Sequence, residues 1–466
     1  MKYKWYKIFF LLPAFVIVFT SCSKFLERPP EGNVEESEAL KTEDDVKKLL
    51  NGCYRQIGIS NMYNGQLQAT AELLGDALNG APLGGKPLEI FNRSTTIFNT
   101  DNADLYTGVY YIIYTANKVL EHLDLVSDAN RAQVEGEAQF IRAICHFEVA
   151  RLWAHNPGYT ADNSHPGIPL RTSSTISAPV RASVAEVYRQ IIADLKSAEG
   201  KVADYNATKI YADKNIVRAF LAKVYFQMNS YTEAYNYANL VISSGKYTLQ
   251  TTPATRYTPT GTPEAIFITM NQPGTNEPGS VLRGRFSGTS TLPNLRISQQ
   301  LYDYVTGFTG DKRIAWLNTT KYAGNIYVNK YDSVNFVLPI VSLTEMYLVR
   351  AESAAEQNTN LATGIADINK IIERAYGNAT RNISATSSAG FLLQKVREQR
   401  EIEMIGEGDR LHQIKRIGAD PNIANRVEIL DRRRSPWNCP GFILQFPDYE
   451  KNANKDFELN IEGGCL

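Results

Sequence analysis

The chain has 466 residues with 49 basic and 49 acidic side chains, and 43% of it is hydrophobic. Nothing in this balanced charge suggests nucleic acid, whose binders present a basic face, and the composition is that of a globular protein with a large core. The 26 Tyr and 19 Phe are the informative excess, because exposed rings are what sugar-binding surfaces use.

Lys2, Lys4 and Lys7 precede an apolar run over residues 8–19, too short to span a bilayer but suited to a secretory segment. It ends in Phe19-Thr20-Ser21-Cys22, which reads as a lipobox. Residues 1–21 are therefore predicted to be a lipoprotein signal peptide, with Cys22 as the lipidation site and anchor. A single domain is expected over 22–466.

Helical spacing of apolar residues predicts helices over 44–57, 105–123 and 135–153. The last carries two neighbouring apolar rows, so it is expected to pack on two sides. Ser183-Val-Ala-Glu186 is a capping box before the apolar face of Val184, Val187, Tyr188, Ile191, Ile192 and Leu195. Residues 215–245 read as a helix–turn–helix with tetratricopeptide-like small and aromatic positions, though Asn229 stands where glycine would be usual. Further helices are predicted over 343–356, 361–376 and 391–405. Two segments interrupt this order, 61–104 and 251–341, rich in Gly, Asn, Thr and Pro, with short strand-like runs at 265–270 and 325–331. Loops this long are functional or disordered, and their aromatic and amide content favours function. The fold class is mainly α: a tetratricopeptide-like scaffold supporting a loop-rich lobe.

Chemistry-bearing motifs are few. Glu398, Arg400, Glu401 and Glu403, with Arg410, read as a carboxylate–guanidinium network pinning a helix end. A glycosidase needs two carboxyl groups facing across a cleft; these share one helix and alternate with arginines. His122, His146, His155, His165 and His412 form no i, i+4 ligand pair with a third group, so no metal and no cofactor are expected. Cys53 and Cys145 fall within helical patterns and read as buried fillers. Cys439 and Cys465 lie in loop-like surroundings, where an oxidising compartment permits a disulfide; the pairing is left open.

In order along the chain, Cys22-Ser-Lys-Phe-Leu-Glu-Arg-Pro-Pro, Glu72-Leu-Leu-Gly-Asp76 and Tyr110-Tyr-Ile-Ile-Tyr-Thr-Ala-Asn117 resemble the SusD/RagB family, surface nutrient-binding lipoproteins of the Bacteroidetes. Glu135-Gly-Glu-Ala-Gln-Phe-Ile-Arg-Ala143, Gly310-Asp-Lys-Arg313, Glu345-Met-Tyr-Leu-Val-Arg-Ala-Glu352 and Gly406-Glu-Gly-Asp-Arg410 continue the resemblance. It implies a non-enzymatic protein, lipid-anchored at the outer membrane and exposed at the cell surface. Such a protein binds oligo- or polysaccharide and delivers it, as a hinged lid, to a SusC-like TonB-dependent transporter. Oligopeptide cargo, or protein partners alone, are the alternatives. The resemblance draws ligand contacts from both loop regions: Asp76, Asn79, Phe91, Asn92 and Arg93 from the first, and Tyr257, Arg283, Phe286 and Trp316 from the second.

Overall fold

Apolar stripes at helical spacing become helices that stack in chain order. In a computed structural model the described residues are 40–59, 62–257, 263–270, 280–289, 291–332, 337–423 and 430–465. The expected signal peptide and Cys22 lie outside them. Helix α1 spans Glu43–Ile59, α2 Gln66–Leu74, α3 Gly85–Phe91, α4 Thr100–Glu121 and α5 Asp128–Trp153. Then come α6 (Val184–Glu199), α7 (Lys214–Gln227), α8 (Tyr231–Ser243), α9 (Ser280–Phe286) and α10 (Gln299–Thr306). The late helices are α11 (Leu343–Glu356), α12 (Leu361–Tyr376), α13 (Ala389–Glu403), α14 (Asp409–Ala419) and α15 (Asp448–Ala453). No helix among the described residues is long and apolar enough to cross a membrane.

Each scaffold helix packs on the next: α4 on α5, α5 on α6, α6 on α7, α7 on α8, α8 on α11, and α11 on α12, with α13 closing against α11 and α12. The mainly α, tetratricopeptide-like architecture expected from the sequence is what forms. Short turns make the α4–α5, α7–α8 and α11–α12 pairs antiparallel. At the α7–α8 turn Asn229 adopts φ 58°, a left-handed conformation that asparagine tolerates where other side chains resist it. Its amide group donates to the Arg416 carbonyl at 2.9 Å and accepts from the Arg416 guanidinium at 3.1 Å. The capping box is present, with Ser183 and Glu186 capping α6 reciprocally. Buried Arg–Asp forks tie adjacent helices: Arg142 of α5 to Asp194 of α6 at 2.8 and 2.6 Å, and Arg350 of α11 to Asp367 of α12 at 2.7 and 2.7 Å.

The loop-rich lobe leaves the scaffold after α8 and returns before α11. Its two ends pair as antiparallel strands, β1 (Ala265–Ile268) with β4 (Pro339–Ser342). Phe267 of β1 packs edge-on against Phe140 of α5 and Phe220 of α7, ring centroids 5.7 and 5.9 Å apart. The lobe is thereby seated on the scaffold core. A second small ribbon, β2 (Leu317–Asn318) with β3 (Tyr327–Val328), lies within the lobe.

The segment 61–104, expected to be irregular, contains α2 and α3. Helix α2 is buried on nearly every face, so it carries no amphipathic stripe to betray it. Helix α3 opens on Gly85 and holds Pro87 in its first turn, a position where proline is tolerated but which reads as loop. The lobe likewise contains α9 and α10. Cys53 and Cys145 are buried thiols, and Cys439 pairs with Cys465 across a Cα–Cα distance of 5.3 Å.

One ion-pair network joins lobe to scaffold. Glu403, wholly buried at the end of α13, accepts from Arg256 at 2.9 Å, Arg313 at 3.0 Å and Arg374 at 2.6 Å. Burial alone would raise its pKa, but the three guanidiniums overcome that and hold the carboxyl at about 2. Arg374 also donates to Glu264 at 3.0 Å, and Arg256 to Glu407 at 2.7 Å. The expected network is present around Arg400, Glu401, Glu403 and Arg410, whereas Glu398 pairs with Lys395 on its own helix. Glu403→Gln is expected to take one carboxylate from three buried guanidiniums, which keep Glu407, Asp311 and Glu264 as partners, and to cost about 3 kcal/mol, read as a loss of denaturant midpoint at unchanged m-value.

Glu72 behaves oppositely. Its carboxyl is buried and accepts one hydrogen bond, from the Gly408 N–H at 2.8 Å, while its second oxygen finds no partner. Gly408 has φ 79° and its Cα lies so close to Gln68 that a Cβ would sit 2.8 Å from the Gln68 Cα, so glycine is required for that approach. Burial pushes Glu72 up to about 7, with Asp76 and Asp409 adding repulsion and Lys330 opposing it. The folded state therefore holds a proton that the unfolded chain releases near 4.5, and stability is lost as pH rises through this window. The 4.5-to-7 shift corresponds to about 3 kcal/mol. Glu72→Gln, which cannot ionise, is expected to gain about that much relative to the parent between pH 4.5 and pH 8, measured by urea unfolding at both pH values. Equal differences at the two pH values would remove this assignment.

Candidate ligand-binding surface

The two irregular regions named by the sequence meet in space. The Asn64 carbonyl accepts from the Val281 N–H at 3.1 Å, Leu78 bridges to Ile297, and the Asn79 N–H donates to the Arg296 carbonyl at 2.8 Å. Arg296 in turn donates to Asn325 at 2.7 Å. The result is one continuous rim built from residues that are about two hundred positions apart in the chain.

The nine expected contacts divide sharply by burial. Tyr257, Phe286 and Trp316 are 1%, 0% and 4% exposed, which corrects the expectation that they offer ring faces to a ligand. Tyr257 packs edge-on against Trp316 and Tyr331, and its hydroxyl donates to Glu407. Lys330, buried with them, lies 4.6 Å from the Trp316 ring centroid. These rings form the lobe's own core, with a cation sealed among them.

Asp76 and Arg93 are also structural, against the expectation of ligand contact. Asp76 accepts from Nε and Nη2 of Arg410, each at 3.0 Å, and from the Arg432 backbone N–H at 2.9 Å. Burial is overcome by those two arginines, and its carboxyl is held at about 2. Arg93 donates to the Leu74 carbonyl at 2.9 Å and the Gly75 carbonyl at 2.8 Å, pairs with Asp431, and lies 4.1 Å over the Phe442 ring. Together they clamp the end of α2 to the 430–434 segment.

Four of the nine remain at the surface in whole or part. Asn79 and Asn92 are exposed, while Phe91 and Arg283 are half-buried. Phe91 is sandwiched: the Arg433 guanidinium lies 4.0 Å over its ring, and a Cβ on Gly80 would come within 2.3 Å of it. Only a hydrogen at position 80 lets the ring lie there. Asn79 folds its amide oxygen onto the Ala81 N–H at 3.0 Å, leaving its NH₂ directed elsewhere.

The sequence reading missed Phe98, which is 67% exposed immediately before the Asn99 cap of α4. An aromatic residue in a Thr/Asn-rich run before a helix cap has no core stripe to join, and that was the available signal. Arg285 of α9 reaches the same end of α4, 3.7 Å from Asp101 and 3.3 Å from the Gln66 amide oxygen. The rim therefore offers an exposed ring, amides and a guanidinium. No group of three His, Cys, Asp or Glu side chains suited to a metal occurs among the described residues.

Comparison with known proteins gives the same architecture a wider frame. A family model described as "Starch-binding associating with outer membrane" matches residues 24–226, and one described as "SusD family" matches 306–462. SusD-like protein P2 of Formosa agariphila is 24% identical, over 99% of this chain and 97% of its own. A SusD superfamily protein from Bacteroides vulgatus has a TM-score of 0.78 at 20% identity, covering 90% of this chain and 99% of its own. A SusD-like carbohydrate binding protein from the same organism has a TM-score of 0.73 at 19% identity, covering 90% and 98%. With one family model over the first half of the chain and another over its last third, the helix order and the lobe inserted between α8 and α11, the chain belongs to the SusD/RagB family.

Proposed function

We propose that the protein captures oligo- or polysaccharide at the outer membrane and passes it to a SusC-like TonB-dependent transporter, closing over it as a hinged lid. The observation that carries this reading is the rim where residues 62–104 meet 280–332, with Phe98, Asn79, Asn92, Arg283 and Arg285 on rigid supports. Recognition loops held by a stiff scaffold are the usual arrangement for binding without catalysis. The family model's outer-membrane description and the carbohydrate-binding title of one structural neighbour support the cargo class and the location. The Cys439–Cys465 pair supports export to an oxidising compartment, and Cys22 is the residue that would carry the lipid. The protein itself acts as a binder: the carboxylates of α13 that face inward are committed to arginines.

The test is affinity electrophoresis of the mature chain lacking Cys22 through gels cast with neutral and acidic polysaccharides, beside calorimetry with a peptide pool. Retardation by one glycan class, weakened at least tenfold by the joint Asn79→Ala and Phe98→Ala variant, is the expected result. Heat from peptides without glycan retardation would move the cargo to oligopeptides. Silence from both would leave a scaffold for protein partners. Tyr257→Phe serves as the internal contrast: it is expected to cost about 1–3 kcal/mol of stability by leaving Glu407 short of a donor, with glycan affinity unchanged.

A further inference from the structure

The outward face of α4 presents a feature that the rim does not use. Thr107, Tyr111 and Tyr114 follow at i, i+4 and i+7, forming one stripe opposite the buried Val109, Ile112, Ile113 and Ala116. Tyr111 is 55% and Tyr114 38% exposed. Beside them opens a groove of about 380 Å³, walled by α4, the 171–177 segment and Tyr449 of α15. That volume lies within the range of small-ligand sites, and the concavity sets it apart from a flat protein-docking face.

The walls are held in place from behind. The amide of buried Asn117 donates to the Arg171 and Ser173 carbonyls, both at 3.1 Å, and the Ser174 N–H donates to Glu121 at 2.7 Å. The Tyr110 hydroxyl donates to the Pro169 carbonyl at 2.7 Å, and the Tyr449 and Thr107 hydroxyls lie 2.7 Å apart. At the groove's base the buried Tyr106 hydroxyl lies against the Tyr110 hydroxyl and the Glu450 carboxyl, its nearest polar neighbours, without close hydrogen-bonding geometry to either. A ligand hydroxyl would give it a better-placed partner.

The lining defines the ligand chemistry. Ring faces ask for flat apolar C–H surface, while the hydroxyls of Ser173, Thr175 and Ser177 donate and accept in turn. One guanidinium, Arg171, is balanced by one carboxyl, Glu450, so the groove has no net appetite for an ion. The stripe from Thr107 to Tyr114 is about 10 Å long at 1.5 Å per residue, which suits a short stretch of chain. Ile176, 94% exposed, adds apolar surface to the loop wall, and a nucleic acid would find too little positive charge.

We propose that this groove is a second carbohydrate site, taking a short uncharged oligosaccharide segment against Tyr111 and Tyr114 with a hydroxyl on Tyr106. The proposal rests on the carbohydrate reading of the protein's function and adds a subsite to it. Two sites on one polymer raise retention through effective concentration, so loss of either is felt in full only on a long glycan.

The experiment uses the mature chain lacking Cys22 in the same polysaccharide gels, comparing the rim variant with Tyr111→Ala/Tyr114→Ala and, separately, Tyr106→Phe. Both tyrosines are exposed and alanine is a strong helix former, so melting is expected to stay unchanged. The double variant is expected to weaken retardation by a neutral polysaccharide at least tenfold. Tyr106→Phe is expected to weaken it while melting at or above the parent temperature, the reverse of what a purely structural hydroxyl would give. Groove variants that migrate as the parent does, while the rim variant is released, would overturn the second site and leave the function standing. Retardation only by uronic-acid polysaccharides would overturn the uncharged class. A parent chain that no glycan retards would overturn both this site and the carbohydrate function.

Discussion

The meeting of Arg256, Arg313 and Arg374 on the single carboxylate of Glu403 is the interaction on which the rest of the structure depends. Arg256 and Arg313 come from the lobe, Arg374 from α12 and Glu403 from α13. An insertion between α8 and α11 has no covalent reason to lie in one orientation. Four ionic side chains, buried and shared, leave few alternatives, because each charge stranded by a wrong docking would cost several kcal/mol. Burial thus acts here as a specificity device: it makes misplacement expensive, while the favourable Coulomb terms offset the desolvation.

The consequence for binding follows directly. Tyr257, Trp316 and Tyr331 surround Lys330 beneath that network, so the lobe's largest rings are consumed in seating it. What remains for a ligand is what the seating leaves outside: the rim near Asn79 and Phe98, and the tyrosine face of α4. A lobe held by its own core is rigid, and a rigid rim loses little entropy on meeting a glycan.

Much of the fold was legible beforehand for identifiable reasons. Helices such as α6 and α12 bury one face and expose the other, so their apolar spacing marks them and their ends fall close to those expected. The capping box at Ser183 is local chemistry, complete within four residues. Helix α2 escaped because burial on all sides erases periodicity, and α3 escaped because its glycine and proline mimic a loop. The candidate site was legible as a region and not as residues. Gly, Asn and Thr content marked both irregular segments, and they do join at Leu78 and Ile297. Whether a given aromatic within them faces solvent depends on partners hundreds of residues away, and no local pattern carries that.

By itself, then, the sequence determined the helical scaffold, the family and the two segments that interrupt the repeat, since each is written in spacing, capping and ordered motifs. Only the tertiary structure decided the rest. It turned Asp76, Arg93, Tyr257, Phe286 and Trp316 inward, paired Cys439 with Cys465, and left Phe98, Tyr111 and Tyr114 outside. The physical reason is that burial is a property of packing between distant elements. A tyrosine is equally suited to a core edge and to a sugar face, and which it becomes is settled by what folds against it.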